Sequence, residues 1–153
     1  MDLLTHIRRL LDYEDWATAR ILDCLGCMEH PPQLALEQLC HTVAARLAWL
    51  TRLSQGHSDD IDIWVLLPLD KLINLHLETI AALKALASGM EEQQLAESFS
   101  YRSYEGTEHN STIGDMLVHL VNHSSHHRGI ILRSIREAGG DAPPCDWIVF
   151  TRE

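Results

Sequence analysis

Four histidines, His119, His123, His126 and His127, fall within one short stretch near the end of the chain, VHLVNHSSHHRG. On a helix, residues four apart stand one above the other on the same face. Two imidazoles placed that way can share one divalent metal ion while the helix fixes their separation, as HExxH motifs do. Two such pairs exist here, 119/123 and 123/127. A helical wheel separates them. At about 100° per residue, the apolar direction is set by Ile113, Leu117, Leu120, Ile131, Ile135 and Ala138. His127 falls roughly 50° from it and His123 roughly 90°, whereas His119 and His126 lie about 130° or more away. The inward pair is therefore His123 and His127. A single helical histidine is ordinarily a core or surface residue. An inward pair is harder to place that way, because each buried imidazole needs hydrogen-bond partners.

A catalytic-type site takes three protein ligands and keeps a position open. His6, His41 and His76 are available on other helices. His41 lies off the main apolar stripe of its segment, beside Ala44, Ala45 and Ala48, where small side chains let another helix approach. Spacing alone leaves the three open. The di-iron carboxylate class needs Glu-x-x-His on two helices, and no glutamate here is followed three residues later by histidine. That class is excluded.

No side chain stands out as a general base. Glu14 and Asp15 read ordinarily as solvated charges, Tyr13 and Trp16 as core packing, and Arg128 as exposed. Their functional alternatives are facing the site, lining its pocket and meeting an anionic substrate. Phe99, Tyr101 and Tyr104 suit a lid or a packing edge. Cys24 and Cys27 have zinc or redox spacing, but without a second CxxC or a βαβ pattern they read as half-buried helix residues.

The segments that would position these residues read as four long helices. Leu3, Ile7, Leu10, Glu14, Ala17, Ile21 and Cys24 recur at helical steps, all but Glu14 apolar, giving a helix over 3–28. Pro31 and Pro32 end it. A second helix runs over 33–55 and stops at Gly56; a third covers about 68–89. Residues 57–67, with Asp59, Asp60 and Asp62, form a solvated connector. Residues 98–111 alternate Phe99 and Tyr101 with polar neighbours before Gly106, which suggests a short hairpin. Thr112 and Asp115 form a capping-box-like start for a fourth helix reaching about Ala138. The tail from Cys145 is apolar enough to pack back on the helices. The expected fold class is all-α, a four-helix bundle as one domain over 1–153.

Bulk properties narrow the partners. The 153 residues carry a formal charge of -10, with 12 scattered Lys and Arg. No basic stripe exists to neutralise phosphates, so nucleic acid is not expected, nor is an anionic membrane surface. The N-terminus lacks a signal-peptide pattern and no apolar run is long enough to span a bilayer, which suggests a cytoplasmic protein.

With these residues in view, the chain resembles the DinB/YfiT-like superfamily of bacterial metalloenzymes, distinct from the polymerase that shares the DinB name. The resemblance covers nearly the whole chain: Tyr13-x-x-Trp16 with Arg20, His41 and Trp49 in HTVAARLAWLTRL, HLVNHSSHHRG at 119–129, and the Pro143-Pro144 and Asp146 tail. It implies a four-helix bundle in which His41, His123 and His127 hold one divalent metal ion. Imidazole suits zinc, nickel, iron and copper alike, and manganese is a further candidate for the ion. Many members read HRGQ; this chain has Ile130 in place of the glutamine, so any contact that side chain makes is missing. The resemblance further implies a homodimer acting on a small-molecule substrate, with a low-molecular-weight thiol as co-substrate of an S-transferase. A metal-dependent hydrolase and a non-catalytic metal-binding or stress-related scaffold are the alternatives.

Overall fold

The computed structural model describes all residues from Met1 to Glu153. Four long helices form the bundle: α1 (Leu3–Cys27), α2 (Gln33–Gln55), α3 (Leu69–Ser88) and α4 (Ile113–Glu137). A 3₁₀ turn (Glu92–Ala96), a hairpin of β1 (Ser98–Arg102) and β2 (Glu108–Thr112), and a short terminal α5 (Trp147–Phe150) complete it. No helix is long and apolar enough to cross a membrane.

Local chemistry sets the helix boundaries. The Asp2 carboxylate accepts from the Thr5 backbone N–H at 2.7 Å and opens α1. Thr112 does the same for α4, accepting from the Asp115 N–H at 3.0 Å. Gly56 ends α2 with φ +79°, a left-handed conformation that costs glycine little. Its carbonyl accepts from the Arg102 N–H at 2.7 Å. The end of α2 is thereby tied to the hairpin.

In the bundle, α2 packs against α4 and α3, and α1 packs against α3 and α4. The expected hairpin is present and antiparallel, with Phe99 opposite Ser111 and Tyr101 opposite His109. The tail packs back as expected: the Tyr13 hydroxyl donates to the Cys145 carbonyl at 2.7 Å, and Trp147 and Phe150 crowd the Tyr13 ring.

Two apolar clusters fill the interior. One gathers Tyr13, Ala17, Ile21, Leu39, Val43, Leu72, Ile131 and Ile135. The other gathers Leu4, Ile7, Leu11, Leu83, Met116, Leu117 and Leu120. Between them, by position along all four helices, sits a buried polar layer. Glu14 bridges two arginines: it accepts from Arg46 at 2.5 Å and from Arg128. Arg46 also donates to His76 Nδ1 at 2.9 Å, and His76 Nε2 reaches Asp15 at 3.2 Å. Lys84 closes the chain on Asp15 at 2.6 Å.

This layer corrects two sequence expectations. Glu14 is 2% exposed and Arg128 is 5% exposed; neither is a solvated charge, and Arg128 is engaged by Glu14 and by the Tyr13 hydroxyl at 2.8 Å. A buried charge must be paired, and each supplies the other's partner. The signal was present in Glu14, the one acidic residue in the apolar stripe of its helix. Tyr13 and Trp16 pack as the ordinary reading has it, against each other and against Phe150.

Candidate metal centre

His41 comes from the middle of α2, and His123 and His127 from two successive turns of α4. The α2–α4 packing brings them together. His123 Nε2 lies 3.2 Å from His41 Nε2 and 3.1 Å from His127 Nε2, and one ligand atom from each residue lies within 4.8 Å of the others. The three form a group that could hold a metal ion.

The outward nitrogens are anchored. His41 Nδ1 lies 2.8 Å from the Ile63 carbonyl, which can only accept, so this nitrogen carries the proton. His127 Nδ1 lies 2.5 Å from Gln38 Oε1 and donates there likewise. The tautomers follow: both Nε2 atoms present lone pairs inward, toward His123. Lone pairs aimed at one another at this distance repel unless a proton or a cation lies between them. Two imidazoles on one tetrahedral ion at about 2.0–2.1 Å place their nitrogens roughly 3.3 Å apart, close to the spacing of both close pairs. Hydrogen-bonded second nitrogens are also the usual support of metal-binding histidines. The residues present fit a divalent ion.

Electrostatics agree. Burial, followed by the charges that His127, His41, His119 and His126 would carry, lowers the His123 pKa to about 4. Burial likewise depresses His127, with His41 and His126 next in effect. Both rings are thus available as neutral donors at pH 7.

The connector between α2 and α3 does more than solvate. Trp64 stacks on the His41 ring, with centroids 3.8 Å apart and planes 11° from parallel, and Ile63 supplies the anchoring carbonyl. Beside the triad opens a cleft of about 290 Å³, lined among others by His41, Ala45, Trp49, Arg52, Tyr104 and His123. His119 borders it on the exposed side. Burial and the Arg52 charge lower the pKa of His119.

Of the other histidines, His76 is committed to the polar layer, His6 packs edge-on to Trp147, and His126 is exposed. Cys24 is half-buried and Cys27 exposed, both as free thiols. Tyr104 lines the cleft and Tyr101 lies behind it, both rings against the Arg52 guanidinium, while Phe99 packs on the second apolar cluster. Gln38, Ile63, Trp64 and Arg52 escaped the sequence reading.

Comparison with known proteins bears on this geometry. The DinB family profile matches residues 29–153, a span that includes α2, α4 and all three histidines. The chain belongs to the DinB family. Among solved structures, a DinB-like protein from Bacillus cereus matches with a TM-score of 0.53 at 16% identity, over 88% of this chain and 94% of that one. That likeness supports the DinB fold. No curated protein matches.

Proposed function

We propose that this DinB family protein is a metal-dependent enzyme in which His41, His123 and His127 hold one divalent ion, and that it transfers a low-molecular-weight thiol to a small electrophile. The observation that carries the proposal is the convergence of the imidazole nitrogens, with two outer nitrogens locked on Ile63 and Gln38, beside an open cleft. Three protein ligands and free space next to them are the pattern of catalytic rather than structural sites.

A bound divalent ion would supply Lewis acidity, enough to ionise a thiol at neutral pH. The chain's own groups supply the rest. Ile63 and Gln38 hold the imidazole tautomers. Trp64 covers one face of His41 and keeps water from it. His119, whose pKa is lowered by partial burial and by the Arg52 charge, is available at the cleft rim as a proton acceptor. The homodimer implied by the resemblance belongs to the same proposal and is tested by light scattering.

The test is elemental analysis of the purified protein beside His41→Ala, His123→Ala and His127→Ala, followed by thiol-plus-electrophile turnover before and after chelation. Stoichiometric metal in the wild type, lost in all three variants, is expected. Turnover is expected to vanish with the chelator and return with metal. Metal retained by all three variants would overturn the site. Ester cleavage without thiol would replace the transferase by a hydrolase, and metal without turnover on any thiol would leave a binding module.

A further inference from the structure

Three arginines are buried in this chain: Arg46, Arg52 and Arg128. Arg46 and Arg128 share Glu14. Arg52 has no such partner. None of the ion pairs of the molecule includes it, and its buried Nε has no hydrogen-bond partner at all. The residue is 8% exposed, and it lines the cleft that the metal triad borders. An unpaired buried charge is costly, and the chain as a whole is strongly acidic, at -10. Carboxylates to neutralise Arg52 are plentiful in the sequence, yet Glu105, which lines the same cleft, is not paired with it.

The guanidinium is held by aromatic faces instead. Its Cζ lies 4.8 Å from the Trp49 ring centroid, 4.9 Å from Tyr104 and 5.4 Å from Tyr101. Such faces attract a cation but leave its N–H donors unused. They hold the guanidinium in place at the cleft, with no acceptor from the protein taken up.

The path from the triad to this fork follows one stripe of α2. His41, Ala45, Ala48 and Arg52 all line the cleft, at the three- and four-residue steps that put side chains on one helix face. The two alanines leave the space between the ends open. At about 1.5 Å per residue, positions 41 and 52 are roughly 16 Å apart along the axis, and the Arg52 guanidinium lies over the ring of Trp49, one turn earlier.

We propose that the cleft takes an elongated organic carboxylate, its anionic end bound by Arg52 and its stem lying over Ala45 and Ala48 toward the three histidines. A guanidinium fork matches a carboxylate with two parallel hydrogen bonds. One cation with Glu105 on the rim favours a monoanion over a doubly charged phosphate. The inference deepens the transferase reading by naming the substrate class; it rests on that reading for the reacting end and on Arg52 alone for the anionic end.

The experiment separates the two. Hexanoate and hexanol are titrated into metal-free and metal-loaded protein, with the ¹H–¹⁵N resonances of the Arg52 Nε and the Trp49 indole as readout. Charge-assisted hydrogen bonds are worth about 1.5–3 kcal/mol, so hexanoate is expected to bind about tenfold to a hundredfold tighter than hexanol, in both forms. Arg52→Met is expected to erase that preference while hexanol binding stays unchanged, and Arg52→Lys to keep part of it. Equal binding of hexanoate and hexanol by the wild type overturns the inference, whether or not the variants fold. So does a preference that survives in Arg52→Met. Failure of the protein to take up metal would sink the metal reading and leave the hexanoate result standing on its own.

Discussion

Gln38 illustrates how one side chain sets the chemistry of another. Its carbonyl oxygen accepts a hydrogen bond from the Nδ1–H of His127, and so decides which nitrogen of that ring presents its lone pair to the triad. Gln38→Leu keeps the bulk and removes the acceptor. Under the proposed function, metal affinity is expected to fall about 10- to 100-fold, measured by competition with a chromophoric chelator. Unchanged affinity would show that the tautomer is set elsewhere. At this scale the sequence was unevenly legible. His123 and His127 announced themselves because helical periodicity is local, and the wheel placed His119 and His126 at the outer side where they are. Gln38 and the Ile63 carbonyl did not, since nothing in a sequence says which polar atom another helix or loop will meet. His41 could be singled out only by resemblance, its spacing being no better than that of His6 or His76.

The elements were easier to read than their connections. Long apolar periodicity and strong breakers fixed the four helices, and Thr112 with Asp115 marked the start of α4 correctly. That cap lies eleven residues before His123, on the helix that carries two of the three histidines. Thr112→Ala is expected to cost about 1 kcal/mol, read as a lower midpoint in urea with an unchanged slope. No loss would mean that Asp115 or water caps the helix as well. The 3₁₀ turn at Glu92–Ala96 was not anticipated, because its capping pair, Glu91 and Gln94, is built from residues equally at home in a longer helix. The acidic connector at 57–67 is solvated by composition; its two contacts with His41 are a backbone carbonyl and a ring stacked on another ring, neither of which composition records.

Across the whole molecule, the polar layer is the feature that binds all four helices at one level. Glu14 sits against two guanidinium groups with almost no access to water. Glu14→Leu would leave Arg46 and Arg128 without their counter-charge, and breaking a buried pair from one side typically costs about 3–5 kcal/mol. Chemical unfolding of the variant checks this, and a loss under 1 kcal/mol (roughly the worth of a surface pair) would refute it. The same layer sets a pH dependence. Burial, then the nearby Arg46 charge, lowers the His76 pKa from 6.5 to about 4, so the native state holds this ring neutral. The unfolded chain binds a proton first. Stability is therefore fully present above about pH 6.5 and declines as the pH falls toward 4, by roughly 3 kcal/mol for this group alone. Comparing metal-free wild type with His76→Gln between pH 7 and pH 5 isolates the contribution; the variant is expected to show the shallower decline. Parallel profiles would assign the effect to other groups, His123 among them.

The hairpin gives the cleft a further property. Ser103, Tyr104 and Glu105, which form one wall of it, sit in the turn between β1 and β2, while the three histidines sit on helices. Gly106 in the same turn has φ +83° with open space around it, and loop tips of this kind accept insertions and substitutions readily. Under the proposed function, the residues that would hold the ion are thereby separate from those that can vary to change which molecules reach it. On that reading, libraries confined to residues 103–107 are expected to change substrate preference while leaving the imidazoles in place.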